Sequence, residues 1–205
     1  MLDEQLTARD IEKGKKYTQQ LSHRGPDHTG FWFDKSDGIF LGHTRLSIID
    51  LAVENNQPFQ FKNSILVYNG EIYNFKNLRH KYLNMHNFNG FSDTEVLLEL
   101  LDKFGFKILE ELNGIFAFSL YDRKEDCTYL IRDRYGVKPI YYLNNRNAVY
   151  FSSEIRGIKS LIKKPFDVNI EAIYRSYIFQ WNPSNDTYIK GIMKIPPGYI
   201  CKIKN

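Results

Sequence analysis

Asn69-Gly70-Glu71 follows the apolar run Ile65, Leu66, Val67, where a buried strand reaches the surface. A side-chain amide beside a glycine can offer two donors, its NH2 and a backbone N–H, to one developing oxyanion, and glycine admits close approach. That pair of donors suits acyl transfer from a carboxamide. Asn-Gly is equally the strongest short hairpin signal, although a hairpin needs a second alternating strand and residues 71–78 lead into a helix-like pattern instead. Arg45 is the charge inside the strongly apolar stretch Gly42-His43-Thr44-Arg45-Leu46-Ser47-Ile48-Ile49. Its guanidinium could grip a carboxylate through two hydrogen bonds or close an internal ion pair. Asp93 could hold a substrate ammonium group, but its place at a helix start makes capping the simpler reading.

Two loops are dense in charge and turn formers, His23-Arg24-Gly25-Pro26-Asp27 and the stretch from Arg132 to Pro139. Loop structure explains them as well as catalysis does. His43 reads as a structural histidine, and Cys127 and Cys201 sit in strand contexts with no metal-like spacing, so they read as free structural thiols.

The elements that must position these residues begin with a helix over residues 7–22, where Thr7 with Asp10 three residues on starts the segment and Ile11, Thr18 and Leu21 share a stripe. Strand patterns follow at Gly30 to Phe33, Ile39 to Ile48 and Ser64 to Tyr68. A helix from Asn74 to Tyr82 precedes a stronger one, in which Ser92 with Glu95 makes a capping box before an apolar run that ends at Gly105. Gly114 to Tyr121, Thr128 to Ile131, Ile140 to Leu143 and Ala148 to Ser152 read as consecutive strands, with an Asn-rich turn at 144–147. A helix near Ile170 to Tyr177 and a strand at Tyr199 to Ile203 close the chain. Strands and helices in separate groups predict an α+β domain with helices outside antiparallel sheets.

At 205 residues the chain fits one domain with a substantial core. Its net charge of +4 comes from 28 basic and 24 acidic side chains too interspersed to point to nucleic acid. No apolar run approaches the roughly 20 residues that span a bilayer, and a charged first stretch is unlike a signal peptide. The expectation is a cytoplasmic protein with no membrane partner.

Taken in order, HRGPD at 23–27, GHTRLSIID at 42–50, QP at 57–58, NGEIYN at 69–74 and SDTE at 92–95 form one family's wording. LNGIFAFSLYD at 112–122, RDRYGVKPIYY at 132–142, FSSEI at 151–155 and IPPGY at 195–199 continue it. The chain resembles the class II glutamine amidotransferase domain of glutamine-hydrolysing asparagine synthetases over almost everything after Leu21. The resemblance implies an N-terminal nucleophile hydrolase fold, a four-layer αββα sandwich of two antiparallel sheets between helices. It also implies that Arg45 grips the α-carboxylate of glutamine, that Asp93 and Glu71 with backbone groups around Leu46, Ser47, Ile48 and Ile49 hold its amino end, and that Asn69 and Gly70 form the oxyanion hole.

The departure lies at the front. The family opens with a cysteine, then Gly-Ile and an apolar strand, whereas this chain opens Met1-Leu2-Asp3-Glu4. In the family that thiolate attacks the glutamine amide while its own α-amino group acts as base, so neither Cys127 nor Cys201 can simply replace it. The expectation is one domain over 1–205 without the first strand and nucleophile, and with an open sheet edge or apolar groove in their place. No cofactor is expected here. ATP and magnesium would belong to the synthetase domain that follows in the family, in cis or in trans, and a homodimer is a further partner that the resemblance allows. The alternative function is a non-catalytic or glutamine-sensing domain.

Overall fold

The computed structural model describes residues 5–47, 56–84, 88, 90, 92–145, 147–162 and 165–204. The expectations on Ile48, Ile49 and the third residue of the 144–147 turn, Arg146, fall outside these residues.

The chain folds as α+β in four layers. Helix α1 (Ala8–Gln19) starts with the capping box that the sequence predicts: Thr7 Oγ1 accepts from the Asp10 N–H at 3.2 Å, and the Asp10 carboxylate accepts from the Thr7 N–H at 3.3 Å. Strands β1 (His28–Asp34) and β2 (Ile39–Arg45) form an antiparallel pair. β3 (Phe59–Phe61) and β4 (Ser64–Ile72) lead to helices α2 (Phe75–Tyr82) and α3 (Asp93–Phe104). Then come β5 (Gly114–Asp122), β6 (Cys127–Arg132), β7 (Tyr141–Asn145) and β8 (Ala148–Ser152). Helices α4 (Ile155–Leu161) and α5 (Ile170–Phe179) precede β9 (Met193–Lys194) and β10 (Ile200–Lys204).

A five-stranded antiparallel sheet in the order β10-β6-β5-β4-β3 is the centre of the domain. One face packs on α2 and α3 through Leu66, Tyr68, Phe116, Phe118, Leu97 and Leu100, all buried. The opposite face carries Ile65 and Tyr121 against Trp32 and Leu41 of the β1-β2 pair, and Ala117 and Leu130 against Ile140 beside the sheet β8-β7-β9. Helices α1 and α4 touch each other and cover β2 and β8, forming the outermost layer. Alternation of apolar residues to both faces of β4 and β5 is what places one sheet between two cores.

The structure corrects the predicted elements in several places: β2 ends at Arg45 rather than at Ile48, β7 runs through Asn144 and Asn145 where a turn is expected, and β3 and β9 have no counterpart in the sequence reading. β4 does not end at Tyr68 but runs on to Ile72, so Asn69-Gly70-Glu71 lies within the strand and makes no hairpin. Its whole length pairs with β5, from Ser64 opposite Asp122 to Ile72 opposite Gly114, and this ladder overrides the local turn preference. The capping box at α3 is half formed: Ser92 Oγ accepts from the Glu95 N–H at 3.3 Å, while the Glu95 carboxylate turns to the Gly90 N–H at 3.1 Å. Helix α4 has no counterpart in the sequence reading, because seven residues with only Gly157 and Ile158 buried carry too little periodicity to detect.

Candidate active site

A cavity of about 660 Å³ separates β2 from β8. β2 pairs only with β1, and β8 only with β7, among the described residues. The free edges of both strands line the cavity, through Phe40, Gly42 and Thr44 on one side and Val149, Tyr150 and Phe151 on the other. Val67, Asn69, Ala117 and Ser119 of the central sheet form its floor, and Gly14, Thr18 and Gly157 of the helices its roof. The groove is therefore bounded like the place of one more strand. Its polarity follows from the roof: Thr44 Oγ1 donates to the Leu21 carbonyl at 3.2 Å, and Arg24 pairs with Glu154 at 3.1 Å. The C-terminal ends of β2 and β8 thus meet the same turn, the two edges run parallel, and a strand antiparallel to both would begin at the Arg45 end.

The candidate residues gather at that end. Arg45, Leu46, Ser47, Asn69, Gly70, Glu71 and Asp93 all line the cavity. Arg45 is the last residue of β2, and its Nη1 donates to Asn56 Oδ1 at 2.9 Å. Asp27 accepts from the Ser47 N–H at 2.7 Å, and the Asp27 N–H donates to the Arg45 carbonyl, which anchors the turn after β2 to the charged loop of residues 23–27. Gly70 faces Phe116 across the ladder, and a methyl group added to it would stand 2.2 Å from the Ile115 carbonyl oxygen. No side chain fits there. The Asn69 Nδ2 is buried and has no hydrogen-bond partner among the described residues.

Asp93 does not cap α3; Ser92 does. The Asp93 carboxylate, 7% exposed, accepts instead from the Tyr68 hydroxyl at 2.7 Å and the Ile72 N–H at 2.9 Å. Burial, reinforced by that carboxylate, pushes the Tyr68 phenol far above its usual range, which keeps it a donor.

Sequence reading missed the groups that fix Tyr68. Its N–H donates to Gln57 Oε1 at 2.6 Å and its hydroxyl to Asp93. Both of the residue's donors are tied, and the next residue is Asn69. The only signal was that Gln57 lies inside the motifs quoted above, with no local pattern to give it a role. Ser119, whose buried hydroxyl has no partner among the described residues, likewise had no signal.

Burial lowers the His43 pKa from 6.5 to about 4, with Arg45 and His28 adding to the effect and the bond to Tyr68 opposing it. The fold thus holds the neutral imidazole. Above the unfolded value the effect vanishes; as pH falls through the window towards the folded value, the unfolded chain binds the proton and stability is lost. Urea unfolding should show the parent losing about 2 kcal/mol more than His43→Gln between about pH 7.5 and pH 5. Equal losses in both proteins would mean that His43 titrates normally in the fold.

The two loops are structural supports of this site. Arg132 donates to the carbonyls of Lys138, Ile195 and Gly136, and the buried Asp133 accepts from the N–H groups of Phe116, Tyr135, Val137 and Lys138. Cys127 and Cys201 are free thiols on β6 and β10 and line no part of the cavity. Among the described residues no three His, Cys, Asp or Glu side chains are placed to hold a metal ion, and no helix is long and apolar enough to cross a membrane.

The family described as the glutamine amidotransferase domain matches residues 3–205. The glutamine-hydrolysing asparagine synthetase 1 of Bacillus subtilis is 35% identical over 196 residues, 94% of this chain and 30% of that protein. Amidase chry2 of Gibberella zeae is 35% identical over 197 residues, 94% of this chain and 29% of that one. Among solved structures, the glutamine phosphoribosylpyrophosphate amidotransferase of Bacillus subtilis, complexed with ADP and GMP, aligns with a TM-score of 0.51 and 26% identity over 58% of this chain and 28% of its own. The chain spans about a third of the length of these curated relatives.

Proposed function

Because this chain belongs to the glutamine amidotransferase domain family, we propose that its cavity binds glutamine and that the domain is the glutaminase half of an asparagine synthetase. The observation that carries this reading is the buried, unpartnered Asn69 amide in a cavity shared with Arg45 and Asp93. Arg45 holds the α-carboxylate of glutamine. Asp93, with lone pairs left after its two bonds, holds the amino group with Glu71 and the backbone of residues 46–49. The carboxamide oxygen then points to Asn69 and Gly70, which stabilise it as it becomes an oxyanion.

The attacking group in this reading is a thiolate on a strand that fills the groove between β2 and β8. A strand antiparallel to both edges would bring its first residue beside Asn69. There the thiolate adds to the carboxamide, its α-amino group relays the proton, and ammonia leaves from the tetrahedral adduct. Water then splits the thioester to give glutamate. The family's synthetase domain, in cis or in trans, would use the ammonia with ATP and magnesium to turn aspartate into asparagine, in the cytoplasm.

Residues 1–205 alone should release no ammonia from glutamine above background. Cys127 lies on β6, two strands from β4, and Cys201 on β10, three strands away, or about 10 and 14 Å at usual strand spacing. Burial also raises the Cys201 thiol above its ordinary pKa. Ammonia release that is abolished by Cys127→Ala or Cys201→Ala would show an internal thiol acting as nucleophile.

A further inference from the structure

Asp93 is a buried carboxylate held by neutral groups. Its Oδ2 accepts from both the Tyr68 hydroxyl and the Ile72 N–H, and among the described residues no lysine or arginine pairs with it. Burying a carboxylate is costly unless hydrogen bonds and an opposite charge compensate it. The two donors supply the hydrogen bonds, and the N-terminus of α3, where Asp93 is the first residue, supplies a partial positive charge. A full positive charge can reach the carboxylate from the cavity that Asp93 lines. Along β4 the two donors bracket Asn69 and Gly70, so the carboxylate is fixed relative to the amide donors of the site. Tyr68 is itself a rigid donor: its N–H is held by the buried Gln57, and its ring packs against Phe118 with 6.4 Å between centroids.

We propose that Tyr68 is a positioning residue for the amino end of glutamine, its hydroxyl holding Oδ2 of Asp93 so that Oδ1 faces the cavity and accepts from the substrate ammonium group. The proposal rests on the glutamine reading above and adds to it a residue that touches no substrate atom. Two donors from different directions fix the plane of a carboxylate, whereas one donor leaves it free to turn about its Cβ–Cγ bond. Removing the hydroxyl therefore costs the ammonium contact its direction and leaves the Arg45 and Asn69 contacts as they are. A hydroxyl that served only to stabilise the fold would affect every ligand of the cavity alike.

Glutaramate, which is glutamine without its α-amino group, keeps the carboxylate for Arg45 and the carboxamide for Asn69 and Gly70. Both ligands are titrated into the 205-residue chain and into Tyr68→Phe, with NMR chemical shifts reading Kd. Phenylalanine keeps the ring and its packing on Phe118, and matched near-UV circular dichroism checks the fold. Tyr68→Phe should weaken glutamine about fivefold to tenfold and leave glutaramate within about twofold of the parent. In an Asp93→Asn background the same change should move the glutamine Kd by less than about twofold, because Tyr68 acts through that carboxylate. Equal weakening of both ligands, unchanged affinity for both, or a full further loss in the Asp93→Asn background would overturn the role of Tyr68 and leave the glutamine site standing. Binding of neither ligand by the parent would overturn the glutamine reading, and this proposal with it.

Discussion

Joining a cysteine-led apolar strand ahead of Gln5, with the cysteine as the free N-terminal residue, should convert the 205-residue chain into a glutaminase and raise its melting temperature. The groove between β2 and β8 offers two unpaired backbone edges, a mixed polar and apolar floor at Val67, Asn69, Ala117 and Ser119, and a helical roof. A strand seated there satisfies both ladders and buries side chains worth about 1.5 to 3 kcal/mol each before ordering costs. In a domain of this size each net kcal/mol moves the melting temperature by about 2 to 4 °C, so a rise of several degrees is expected. Ammonia release should rise from background by roughly a thousandfold or more, because an activated nucleophile supplies the step that oxyanion donors cannot. The same segment led by serine separates the two effects: it should restore the melting temperature and leave turnover near background. An unchanged melting temperature would show that the groove does not receive this strand. A full rise with the cysteine-led segment and no ammonia would remove Asn69 and Gly70 from catalysis.

The sequence disclosed those parts of the fold that are written locally. The α1 capping box, the Ser92 cap of α3 and the strands β5 and β6 all appear where their patterns place them. Features decided by tertiary pairing were not legible. Asn69-Gly70 has the composition of a turn, yet it is strand because β5 pairs with it throughout. Arg45 and Asn69 are 24 residues apart in the chain, and their shared cavity could be inferred from motif order but not from periodicity. The grip of Gln57 and Asp93 on Tyr68 was invisible, because hydrogen bonds between a strand, a loop and a helix N-terminus leave no spacing rule.

Arg45 should account for a large share of glutamine affinity. It stands at the end of β2, oriented by Asn56, on the same cavity wall as the Asn69 and Asp93 groups. A hydrogen bond to a charged group is worth about 1.5 to 3 kcal/mol, and a guanidinium facing a carboxylate can make two. Arg45→Ala should therefore weaken glutamine binding at least about tenfold, while Arg45→Lys, which keeps the charge but loses the fork, should fall between the two. Calorimetric titration of glutamine into the 205-residue chain and into Arg45→Ala, with matched melting curves as the check on folding, reads this out. Saturable binding by the parent, even at millimolar Kd, with loss of tenfold or more in the variant, is the predicted result. Equal affinity in both proteins, or heat from neither, would contradict a glutamine site in this cavity.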